Sequence, residues 1–177
     1  GSGASCLTQL LQASFPALNY YDIDMPFMID NRQARLTKVS TRHIALDLEQ
    51  AAQEKCDLHT LLPNAKKPIF ILEGLIYFLS RNCIEWLMNE LSKYKEMAIL
   101  LDYFPDNAMA LSAMFRQEIG PQLDDHIKES LDNTLSDWVV NALSQHVKNA
   151  HTLKISDAEK TLCEKAGLTP KLVDQDE

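Results

Sequence analysis

The chain has 177 residues, a length that suits one globular domain able to close a core without disulfide or metal staples. Apolar residues make up 46% and charged residues 24%, which excludes disordered and fibrous classes. Lys and Arg number 17 against 25 Asp and Glu, a net charge of -8, so neither a nucleic-acid backbone nor a membrane surface is expected as a partner.

Gly1-Ser2-Gly3-Ala4-Ser5 opens the chain, and Leu7, Leu10 and Leu11 follow at helical spacing. Residues 18–24 read as a short strand that ends in acid. Pro26 then starts a helix carrying Met28, Ile29, Arg32 and Leu36. His43 to Leu46 is a second strand, closed by Asp47. Pro68 to Leu72 is a continuous apolar run, the type expected for a parallel strand buried on both faces. Ser80 is an N-cap for a helix with Ile84, Leu87, Met88 and Leu91 on one stripe. Met97 to Leu101 is another buried strand, followed by Asp102.

This alternation predicts an α/β fold with a mainly parallel sheet between helices. Residues 106–149 carry helical spacing and no strand pattern. Ser156 to Glu159 reads as a capping box, Gly167 as a helix stop, and Leu168 to Val173 as an edge strand. Cys6, Cys56, Cys83 and Cys163 form no C-x-x-C pair, and the five histidines have no metal spacing. No metal site is expected, and reduced thiols in the cytoplasm are the simplest reading. The longest apolar run, Ile69 to Leu79, is broken by Glu73 and Gly74 and is too short to span a bilayer.

The residues able to carry chemistry sit at strand ends. Glycines ahead of a helix let the backbone approach a ligand, although a cloning remnant has the same Gly-Ser-Gly sequence. Asp24, about one βα unit later, can accept both hydroxyls of a ribose or cap the helix entered at Pro26. A dinucleotide fingerprint requires a third glycine where Cys6 stands, which disfavours a nicotinamide enzyme. Asp47 can take the amino group of a base while the Leu48 N–H donates to a ring nitrogen, or Asp47 can cap the next helix. Glu73 follows four apolar residues, so burial would require a cation opposite it: a ligand, or a neighbouring Lys or Arg.

These stretches resemble the leucine carboxyl methyltransferase family, within the class I S-adenosylmethionine-dependent methyltransferases. Gly1 to Leu7 looks like that family's glycine loop. Tyr21-Asp22-Ile23-Asp24-Met25-Pro26 is similar to its strand end, with Arg32 where a basic residue commonly follows. Ala45-Leu46-Asp47-Leu48 looks like its adenine site. Leu72-Glu73-Gly74-Leu75-Ile76-Tyr77-Phe78-Leu79 is similar to its Glu-Gly-Leu segment, the most specific of the four. Together they span residues 1 to about 104.

The resemblance implies a Rossmann-like fold over residues 1–177, with 106–149 as a helical substrate-side insertion. It implies a transferase that uses S-adenosyl-L-methionine to methylate a carboxylate of a protein C-terminus or a small acid. Gly1 and Gly3 would pass under the methionine part of that cofactor. Asp24 would hold the ribose, Asp47 and Leu48 the adenine, and Glu73 the region of the ammonium and sulfonium. Tyr77 is a substrate-side candidate. The family's Asp-Thr pair is replaced by Ser5-Cys6-Leu7, which leaves a second reading: a module that binds the cofactor without turnover. The family also has a helical region and a strand ahead of its glycine loop. The sheet here is therefore expected to be incomplete, with a central strand directly before Gly1 contributed by residues outside this numbering.

Overall fold

A computed structural model describes residues 1–3, 5–35, 41–62, 65–102, 141, 143–149, 151 and 155–166. The chain divides into two compact units, Gly1–His146 and Val147–Glu177. The first holds α1 (Leu7–Ser14), β1 (Tyr21–Asp24), α2 (Pro26–Arg35), β2 (Arg42–Ala45), α3 (Leu48–Gln53) and α4 (Leu58–Leu61). It continues with β3 (Ile69–Leu72), a 3-10 turn (Ile76–Phe78), α5 (Arg81–Ser92) and β4 (Ala98–Leu101). The second unit holds α6 (Ile155–Ala166). Of the helical segment expected over 106–149, only 141 and 143–149 are among the described residues. The expected helix stop at Gly167 and the strand over 168–173 lie outside them.

The fold is mixed α/β with short parallel sheets. β1 pairs with β2, Ile23 opposite Ile44, and β3 pairs with β4, Ile71 opposite Leu100. The described strands form two separate two-stranded sheets. The strand expected from residue 18 begins at Tyr21. The chain first turns at Pro16, and the Tyr20 hydroxyl donates to the Leu11 and Phe15 carbonyls at the end of α1.

The core gathers on α5. Ser80 caps this helix by accepting from the Cys83 N–H at 3.2 Å, as its place before the stripe predicts. Ile84, Leu87, Met88 and Leu91, at helical spacing, pack with Cys83, Leu72, Ile76 and Leu79. The Glu49 carboxylate of α3 holds the start of α5, accepting from the Ser80 N–H and hydroxyl at 2.5 and 2.8 Å.

β3 is not buried on both faces. Phe70 and Leu72 turn toward the α5 core, while Ile69 is 66% exposed and Ile71 38%. Leu100 on β4, the partner of Ile71, is also exposed. Among the described residues only one face of this pair is covered, so an unbroken apolar run adopts the period-2 exposure of a half-buried strand.

Cys83 has no exposed surface, and burial pushes its thiol up to about 12, aided by the charges of Glu49 and Asp47. The thiol therefore stays neutral in the folded protein while the unfolded chain begins to ionise near 9.0. The unfolded state binds fewer protons above that pH, so this group's contribution to stability falls as pH rises from about 9 toward about 12. A thiol reagent at pH 8 should modify exposed Cys6 and spare Cys83 until the protein is denatured. In urea titrations, Cys83→Ala should show a shallower loss of stability between pH 8 and pH 11 than the parent. Equal slopes would mean that Cys83 does not set this dependence.

Candidate functional site at the carboxyl ends of the strands

Each of the four described strands runs out into an acid. β1 ends on Asp24, Asp47 lies two residues past β2, Glu73 follows β3, and Asp102 follows β4. Parallel pairing puts Asp24 and Asp47 at one end of the first sheet, and Glu73 and Asp102 at one end of the second.

Gly1 ties the two ends together. Arg42 and Leu46 donate to the Tyr20 and Asp24 carbonyls, so the Ile23 carbonyl points to the other edge of β1. There it accepts from the Gly1 nitrogen at 2.8 Å and the Ser2 N–H at 3.1 Å. Gly1 also lies against Leu75, just past β3; a Cβ on Gly1 would stand 2.6 Å from Leu75 Cδ1. The carboxyl ends of β1 and β3 therefore share one side of the unit.

The loop into α1 is fixed at this edge. The Gly3 N–H donates to Asp24 Oδ2 at 2.5 Å, and the Met25 N–H donates to Asp24 Oδ1 at 2.8 Å. Each oxygen keeps a second acceptor position. Gly3 has φ +51 with no atom near its absent side chain, so glycine is required there by the backbone and not by packing. Arg32 of α2 donates to the Gly3 and Ser5 carbonyls, at 2.9 and 2.7 Å.

A cavity of about 500 Å³ opens beside the loop. Ser5, Cys6, Leu7 and Leu10 form one wall; Ile71, Leu72, Glu73, Leu100, Leu101 and Asp102 form the other. Glu73 is exposed, not buried as its place after an apolar run suggested, because β3 has one open face. Asp102 accepts from the Gly74 N–H at 2.8 Å, where Gly74 has φ +61. The described lining is thus aliphatic, with two carboxylates and no Lys, Arg or His. Such a wall suits a ligand that carries positive charge on an apolar frame.

Gly1, Gly3 and Asp24 come together, and Glu73 joins the cavity wall. Asp47 takes the capping role, its Oδ1 accepting from the Glu49 and Gln50 N–H groups at 2.9 and 3.2 Å. Leu48 opens α3, and its carbonyl accepts from the Cys83 thiol at 3.4 Å. Neither is among the cavity residues. Tyr77 lies in the 3-10 turn, and its side chain is outside the description. Asp102 was not singled out from sequence, although it follows an apolar run as Glu73 does. The apolar wall from Leu7, Leu10, Ile71 and Leu100 was also missed, because isolated Leu and Ile residues read as core.

Among the described residues no group of three or more His, Cys, Asp or Glu could hold a metal ion, and no helix is long and apolar enough to cross a membrane. The chain matches no family model, no curated protein and no solved structure.

Gly3→Ala should destabilise the unit by roughly 1–2 kcal/mol, the cost of a side chain in the left-handed region. Because the site has steric room, denaturant unfolding should show this modest loss and no collapse of the fold. A neutral substitution would mean that the loop is not held at positive φ in solution.

Proposed function

We propose that this protein is an S-adenosylmethionine-dependent O-methyltransferase with a Rossmann-like sheet, acting on a carboxylate of a protein C-terminus or a small acid. The observation that carries the reading is the pairing of Gly3 with Asp24 at the strand ends, beside an aliphatic cavity that holds Glu73 and Asp102.

The residues fit that cofactor. Asp24 keeps one acceptor position on each oxygen, which suits the two hydroxyls of a ribose. Glu73 and Asp102, on an otherwise apolar wall, suit an aliphatic chain bearing an ammonium and a sulfonium. Asp47 and Leu48 would meet the adenine. Asp47 Oδ1 is used in capping, so its contribution to adenine would come from its remaining acceptor positions. When bound, S-adenosylmethionine supplies an electrophilic methyl group. An acceptor carboxylate is already ionised at neutral pH and requires no general base. The protein's part is alignment, with Leu7 and Leu10 on one wall and Ile71 and Leu100 on the other giving the cleft apolar sides. All four cysteines are free, which supports a reducing, cytoplasmic setting.

One observation favours binding without turnover. Ser5 spends its side chain on the Leu7 N–H, at 3.2 Å, and its carbonyl on Arg32, so these groups of the altered loop are already engaged within the protein. Methyl transfer to an acceptor separates the two readings.

Calorimetric titration of variants tests the assignment. Asp24→Ala should weaken S-adenosylmethionine by about 1.5–3 kcal/mol, the range for hydrogen bonds to a charged group. Glu73→Gln keeps the shape and removes the charge, so it should weaken S-adenosylmethionine more than adenosine. Equal losses for the two ligands, or none, would remove Glu73 from the site; unchanged affinity in folded Asp24→Ala would reduce Asp24 to a structural cap.

A further inference from the structure

The Asp22–Arg32 pair stands outside the cavity and outside the roles assigned above. Asp22 is the residue of β1 whose side chain is 3% exposed, and the Arg32 side chain is 5% exposed. Arg32 lies on the α2 face that also buries Ile29. Nη1 and Nη2 donate hydrogen bonds, while Nε faces the Asp22 carboxylate as an ion pair without hydrogen-bond geometry. Nε meets Asp22 Oδ2 at 3.0 Å, Nη1 donates to the Gly3 carbonyl, and Nη2 donates to the Ser5 carbonyl and, at 3.3 Å, to Thr8 Oγ1. The Thr8 hydroxyl in turn donates to Asp22 Oδ2 at 3.3 Å. His43, opposite Asp22 in the sheet, brings Nδ1 to 3.6 Å from the same oxygen.

One carboxylate cannot accept from all five guanidinium N–H donors, so a buried Arg must find further acceptors, and the groups that supply them are the ones it holds in place. Here the planar fork reaches two carbonyls of one loop, two residues apart. A lysine, with one ammonium, cannot reproduce that bidentate geometry. The same loop is held from its other side by the Gly3 N–H on Asp24. Gly3 is thus gripped through its carbonyl by Arg32 and through its amide by Asp24.

We propose that Arg32, oriented by Asp22, is a positioning residue: it fixes the peptide groups of Gly3 and Ser5 so that Gly3 and Asp24 present one preformed edge to the ligand. The ligand part rests on the function proposed above; the loop part does not. Arg32 itself does not enter the cavity lining.

The test is Arg32→Lys in the full chain, read in two ways. Solvent exchange of the Gly3 amide, followed by NMR magnetisation transfer, should speed up about tenfold or more as its hydrogen bond to Asp24 loosens, while the Leu87 amide of α5 is unchanged. S-adenosylmethionine affinity should fall by about tenfold or more, measured where the variant is still fully folded. Unchanged Gly3 exchange overturns the proposal. So does faster exchange with undiminished affinity, or lost affinity with an undisturbed Gly3 amide. If the parent chain does not bind S-adenosylmethionine, the function reading fails, and the loop role is decided by the Gly3 amide alone. Should Arg32→Lys not fold, Thr8→Val removes one acceptor from Arg32 and one donor to Asp22 at nearly constant volume. It should give the same pattern at roughly two- to fivefold.

Discussion

A buried guanidinium has few ways to be tolerated, and here the solution organises half of the first unit. Arg32 needs a carboxylate and several neutral acceptors once it leaves water. Asp22 supplies the charge, and Gly3, Ser5 and Thr8 supply the oxygens. Meeting that one requirement ties α1 and its loop to α2 and β1, with β2 alongside through His43. Removing one partner of such a pair costs about 3–5 kcal/mol, because the other charge is left uncompensated. The Asp24 carboxylate then closes the loop from its other side by taking the Gly3 N–H.

The edge built in this way is negative. Four strand ends carry four acids, and the described cavity wall offers no cation to balance Glu73 and Asp102. Two of the acids also do local work. Asp47 caps α3, and Asp102 holds the Gly74 turn. Asp24 and Glu73 carry more of the case for a ligand. Asp24 stands at the glycine loop with acceptor positions remaining, and Glu73 faces a cleft of aliphatic side chains. An edge of this kind recruits positive charge and hydroxyl donors and repels phosphates. S-adenosylmethionine, with a diol, an ammonium and a sulfonium, meets those terms, which is why the proposed function rests on it and not on a pyrophosphate-bearing dinucleotide.

The strands were legible because short apolar runs end in acids, and α5 because Ser80 precedes an Ile84, Leu87, Met88, Leu91 stripe. Local chemistry decided both. The burial of β3 was not legible. Pro68 to Leu72 has the composition of a doubly covered strand, yet coverage is a property of neighbours, and Ile69 and Ile71 are open on the face away from α5. Exposure of Glu73 follows from the same fact. The alternatives for Asp47 could not be separated from sequence, since a capping Asp and a base-binding Asp occupy the same place after a strand. Arg32 was legible only as a position on the helix after Pro26 and as part of a motif. Its reach back to the Gly3 and Ser5 carbonyls, some 29 and 27 residues away in sequence, is a long-range contact that no local pattern encodes.

The central claim is that the carboxyl ends of β1, β3 and β4 form one ligand edge. Backbone amide NMR during titration with S-adenosylmethionine tests it most directly. Saturable shifts should cluster at Gly3, Asp24, Gly74 and Asp102, with NAD at the same concentrations leaving those amides in place. Shifts confined to other surfaces, or the same shifts produced by NAD, would contradict it.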